Sequence, residues 1–147
     1  MSAWIWGMLI LQFLFAAFMY LWMFRRKELI SLHIGMNVAM VAGGGLSLGT
    51  GILLIYKYPF YYMEVTGIAT VIGVVAGGLF GRLFDRQAML SGYVCGFMTG
   101  MMAPMIGAAA FFSIPFAAMI EFFILCSFMI VMKETYSARV NDERCEK

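Results

Sequence analysis

The chain has 147 residues, 63% hydrophobic and 12% charged, with a net charge of +2 and a mean hydropathy of +0.90. Soluble domains run near 45–50% apolar and about 25% charged, so this composition excludes a water-soluble fold, a disordered chain and a disulfide-rich secreted scaffold. The small net charge gives no reason to expect nucleic acid or another anionic partner; the chain reads as an all-α integral membrane protein whose constant partner is the lipid bilayer.

A span needs about 20 apolar residues to cross ~30 Å of hydrocarbon. The first such run, about 3–24, ends at Arg25-Arg26-Lys27-Glu28. No basic segment precedes it and the cations follow it, so it is expected to be a retained helix with its N-terminus outside rather than a signal peptide. The second run, about 32–56, leads into Lys57 and the cluster Tyr58-Pro59-Phe60-Tyr61-Tyr62, an aromatic interface belt and turn. The third, about 63–84, meets Arg82, Asp85 and Arg86, which are expected to pair at the inner surface. Glu64 opens that run, where the first helical turn favours an anion.

From Gln87 to Ile120 there are 34 residues without a formal charge. As one straight helix they would extend ~51 Å, too far for a single crossing. The best break is Phe111-Phe112-Ser113-Ile114-Pro115, where Ser113 can cap a new helix and Pro115 falls in its first turn. This gives spans over about 88–110 and 114–132, joined by an outer loop or a buried re-entrant turn, and a polar cytoplasmic tail over 133–147.

Charge asymmetry orients the five-span bundle. With the N-terminus outside, nine cations lie inside (Arg25, Arg26, Lys27, Arg82, Arg86, Lys133, Arg139, Arg144 and Lys147) and Lys57 alone lies outside. A four-span count divides them evenly, so the positive-inside rule selects five spans with the C-terminus inside. A chain of this kind is expected in a bacterial inner or plasma membrane. Five helices enclose little lumen, so a homo-oligomer or a membrane-protein partner is expected.

Glycines recur every fourth residue. Gly73, Gly77 and Gly81 lie on the third span and Gly92, Gly96 and Gly100 on the fourth. Each set places a flat stripe on one helix face, which lets backbones approach closely. The two stripes flank the turn at Asp85-Arg86-Gln87, so spans three and four are expected to form a glycine-zipped hairpin; the alternative is a contact face between copies.

Two groups carry soft ligands. His33, Met36, Asn37 and Met40 share one face of the second span, and Cys95, Met98, Met102 and Met105 share one face of the fourth. Thioether, thiol and imidazole suit a soft cation such as Cu(I), whereas methionine at helical spacing also simply fills irregular gaps. The metal itself is unknown. Met36-x-x-x-Met40 with Gly73-x-x-x-Gly77 resembles the trimeric copper-uptake channels, which also begin outside and carry M-x-x-x-M on the second span and G-x-x-x-G on the third. The likeness is an analogy between two short motifs. This chain has two further spans, no Met-rich outer segment and no terminal His-Cys-His; it ends Cys145-Glu146-Lys147.

Glu121 is the sharpest single residue. It lies seven residues past Ile114, so ~10 Å into the membrane. A carboxyl at that depth costs several kcal/mol and points by default to function, as a proton-coupling or cation-binding group; it can equally sit protonated in one interhelical hydrogen bond. Gln12, Asn37, Ser91 and Thr99 are its candidate partners. The three cysteines, Cys95, Cys126 and Cys145, include no C-x-x-C and are expected as free thiols. No catalytic triad, H-E-x-x-H or phosphate-binding loop is present. The expected function is therefore non-enzymatic and without a cofactor: transport or ion handling of a soft metal cation or a proton-coupled substrate, or else a structural subunit of a membrane complex.

Overall fold

A computed structural model describes the backbone of residues 2–25, 32–110 and 113–145, and the side chains of 4–25, 34–110 and 113–135. It is all-α: α1 (Ser2–Phe24), α2 (Leu32–Lys57), α3 (Tyr62–Arg82), α4 (Arg86–Ala109) and α5 (Ile114–Cys145). No strand occurs among the described residues. All five helices are long and apolar enough to cross a membrane. The chain is thus multi-pass in character, and the reason is simple. In hydrocarbon each backbone N–H and C=O must find its partner within the segment, and a continuous helix satisfies them all.

The helices lie near the expected apolar runs, and α5 continues beyond the apolar run through the polar stretch to Cys145. Lys133 and Glu134 are exposed, and a helix leaving the bilayer can continue in water when its residues are good helix formers. At the α4–α5 link the Ser113 hydroxyl donates to the Ala110 carbonyl (2.9 Å), and the Ser113 carbonyl accepts from Phe116 and Ala117. Phe111 and Phe112 lie outside the described residues, so the choice between an outer loop and a re-entrant turn falls there too. Arg26, Lys27, Arg139, Arg144 and Lys147, five of the cations expected inside, also lie outside the described side chains.

α2 is the centre of the bundle. Two-thirds of its span (67%) is buried, against 22–28% for the other four. Its composition explains why. Gly43, Gly44, Gly45, Gly49 and Gly51 with Ser47 and Thr50 give α2 small surfaces on several sides, and each side receives another helix. A Cβ on Gly43 would stand 2.8 Å from the Gly92 carbonyl oxygen of α4 and 2.9 Å from the Gly77 Cα of α3. A Cβ on Gly51 would be 2.5 Å from the Ala103 Cβ, and the buried Pro104 ring also packs there. Where α2, α3 and α4 meet, the buried Ser47 hydroxyl lies 3.2 Å from the Ala69 carbonyl oxygen and 3.3 Å from that of Gly96.

α1 and α5 flank α2 on its remaining side. Phe15 of α1 meets Phe128 of α5 edge-on, with ring centroids 5.9 Å apart. At the other end Lys57 Nζ sits 4.1 Å from the centre of the Trp6 ring. The Trp6–Lys57 and Gln12–Gly45 contacts together run α1 antiparallel to α2. α1 stands off from α3, leaving an apolar groove of about 550 Å³ lined by Phe13, Leu21, Val71 and Val75, among others, with Leu46 beneath.

Candidate functional site

The buried polar side chains of the α1–α2–α5 seam define the site. Gln12 is the one amide in α1 and is only 1% exposed. Its Nε2 donates to the Gly45 carbonyl at 3.2 Å and the Leu46 carbonyl at 3.4 Å. Gly49 makes this approach feasible, because a Cβ there would lie 2.5 Å from Gln12 Nε2 and 2.6 Å from its Oε1. With the nitrogen held on α2 carbonyls, the amide oxygen receives no hydrogen bond.

Glu121 of α5 is 3% exposed, and its Oε1 also receives no hydrogen bond. Its level follows from its neighbours. One turn before it, Ala117 clusters with Leu9, Ile52 and Leu53. One turn after it, the Ile124 Cγ2 lies 3.3 Å from where a Cβ on Gly45 would be. Gln12 has the same brackets: Leu9 precedes it by three residues, and Gly45 accepts its hydrogen bond. The two residues therefore occupy one layer of the seam, between the Leu9–Ala117 cluster and the Phe15–Phe128 pair.

No cation among the described side chains enters this layer. Among the described residues Arg25, Lys57, Arg82 and Arg86 lie at helix ends, and Lys133 lies twelve residues beyond Glu121. An isolated carboxylate in such surroundings is far costlier than the neutral acid. The arrangement can hold a proton where apolar side chains exclude water, which is what proton-handling carboxyls within membranes require.

The soft-ligand faces are placed elsewhere. Met36 is half-buried, while Asn37 and Met40 are exposed; the His33 side chain lies outside the described residues. Met98, Met102 and Met105 point out of the bundle, Met105 being 65% exposed. Cys95 departs from its stripe: its Sγ packs 3.1 Å from where a Cβ on Gly44 would be and lies 4.0 Å from Thr99 Oγ1. Neither stripe converges on Glu121. Among the described residues no group of three or more His, Cys, Asp or Glu is placed to hold a metal. Cys95 and Cys126 are half-buried free thiols.

Of the candidate partners for Glu121, Gln12 is the one whose buried head group lies on the α1–α2 side of this seam, at the Gly45 and Leu46 carbonyls. Asn37 is exposed, and Ser91 and Thr99 belong to α4. Glu64 lies exposed in the first turn of α3. Asp85 takes the N-cap position of α4 without a side-chain cap hydrogen bond and is exposed, as are Arg82 and Arg86. Sequence reasoning offered no role for Ser47, although the glycine cluster around it in α2 is visible there.

The six stripe glycines are all buried. Gly77 faces Gly92, Gly73 faces Gly96, and Gly81 meets the backbone of Ala88 and Met89. Gly100 packs on the Thr70 backbone. Comparison with protein-family models, curated proteins and solved structures finds no match to this chain.

Proposed function

We propose that the chain is a small multi-pass membrane protein of transport or ion handling, with Glu121 as its ionisable site and no enzymatic activity. The observation that carries this reading is a carboxyl 3% exposed inside an apolar helix, with an oxygen that receives no hydrogen bond. A carboxyl with only a packing role is more cheaply replaced by an apolar residue of like shape. The charge asymmetry supports an N-terminus outside and a C-terminus inside a bacterial inner or plasma membrane. The close backbone approach of Gly73, Gly77 and Gly81 to α4 supports a glycine-zipped hairpin, with α2 as its third wall. On this reading the transported or coupled ion is a proton rather than a soft metal, since the methionines stand apart from Glu121.

A second reading, a structural or assembly subunit without a substrate, is favoured by the outward direction of Met98, Met102 and Met105. Flexible thioether side chains suit a contact surface for a partner or a second copy. The test is ion flux, or growth where it depends on the protein, with Glu121→Gln at wild-type expression. Transport through Glu121 predicts loss of activity in a folded protein. Full activity removes Glu121 from the transport site.

A further inference from the structure

Two buried oxygens in one layer of the seam, Gln12 Oε1 and Glu121 Oε1, both lack a donor. Both are acceptors while the carboxyl is ionised, so neither can satisfy the other. One added hydrogen resolves both. We propose that Gln12 and Glu121 form a site for a single proton, in which the Glu121 carboxylic O–H donates to Gln12 Oε1 and clasps α1 to α5 across α2. This rests on the reading of Glu121 as the ionisable site and names its ligand and its partner.

The amide is prepared for the role. Its Nε2 is spent on the Gly45 and Leu46 carbonyls, which fixes the oxygen as the free end, and Gly49 leaves no freedom for the head group to retreat. Binding is a plain acid–base equilibrium. The proton joins a carboxylate oxygen, the layer becomes neutral, and the new O–H has an acceptor. Its loss leaves an anion and an amide oxygen opposed in an apolar layer.

A metal cation fits the same atoms poorly. Hard cations take about six to eight oxygens. This layer offers the carboxyl and one amide oxygen, with the Gly45 and Leu46 carbonyls already accepting from Nε2 and the side chains around them apolar. Among the described side chains, the other titratable groups of these three helices are engaged or distant. Tyr20 packs on Phe80, Tyr56 donates to the Ser113 carbonyl, and Lys57 sits on Trp6. Arg25, Cys126, Lys133 and Glu134 lie further along their helices toward the inner end.

Infrared difference spectroscopy of the full chain in lipid vesicles, between acidic and alkaline pH, tests this. A protonated-carboxyl C=O band is expected in the wild type and absent in Glu121→Gln. In Gln12→Met, which keeps length but removes the acceptor, that band is expected to change frequency. Gln12→Asn retracts the acceptor by one methylene and serves the same comparison if the Met variant does not fold. An unmoved band in the folded Gln12 variant, or no such band in the wild type, overturns the proposal. So does abolition of the band by sodium or potassium at fixed pH, which would mark a cation site. The flux assay stands apart: a shared proton with unchanged flux in Glu121→Gln leaves this site intact and removes the transport reading, and the converse result does the opposite.

Discussion

Gly77 of α3 and Gly92 of α4 meet backbone to backbone. A Cβ on Gly92 would stand 2.5 Å from the Gly77 carbonyl oxygen, and one on Gly77 would run into the Gly92 carbonyl. Contacts of this kind place peptide dipoles and Cα–H groups where lipid cannot reach, and they leave no volume for a methyl group.

Gly77→Ala and Gly96→Ala are therefore expected to destabilise the bundle by about 1–3 kcal/mol each, as overpacking does elsewhere. Gly67 and Gly78, on the same helix as Gly77, have open space around them, and alanine there should leave the thermal midpoint unchanged. Thermal unfolding in mild detergent reads both. Equal midpoints across all four variants would contradict the close-packed hairpin.

Ser47 is the polar tie at the α2–α3–α4 junction. Its one hydroxyl hydrogen serves either the Ala69 or the Gly96 carbonyl. Ser47→Ala is expected to cost about 0.6 kcal/mol, the average for interhelical hydrogen bonds in membranes. Ser47→Val should cost more, because a Cβ on Gly73 would already lie 2.5 Å from the Ser47 Cβ. A valine variant as stable as the alanine variant would show that the junction is loose.

The Trp6–Lys57 contact holds the N-terminal end of α1 on α2, next to the cluster of Leu9 with Ile52, Leu53 and Ala117. With the ammonium 4.1 Å from the ring centre, Trp6→Leu is expected to lose about 0.5–1 kcal/mol. Proteolysis or hydrogen exchange at the N-terminal half of α1 reads this locally; unaltered protection would assign the docking of α1 to Gln12 and Phe15 alone.

The proposed orientation rests on charge. A reporter fused after Lys147 that is active only outside the cell should be silent. Activity there would overturn the arrangement with nine cations inside and Lys57 alone outside.

The spans were legible in the sequence because hydrocarbon thickness fixes their length and cations mark their ends. The Ser113–Pro115 break split a run that charge alone left whole. The glycine spacing of α3 and α4 named the residues that touch, but it did not reveal α2 as the third wall. Helical periodicity assigns residues to faces of one helix and says nothing of which helix fills the middle. The site was legible in part for the same reason. Burial cost singled out Glu121, and Gln12 stood among four possible partners. Only the meeting of α1 and α5 over Gly45 and Gly49 separates Gln12 from Asn37, Ser91 and Thr99. The spacing of the methionines put them on one face of each helix, and a stripe on one face is as readily turned toward lipid as toward a site.

The central claim is that Glu121 works by gaining and losing a proton. The most direct measurement is proton flux into vesicles carrying purified wild type, Glu121→Gln and Glu121→Leu, each with its thermal midpoint determined. The account predicts that both variants fold, the leucine variant at least as stably as the wild type because an apolar side chain replaces a buried polar one. It predicts that neither variant carries protons while the wild type does. Flux in the glutamine variant equal to wild type would contradict it, since an amide cannot ionise.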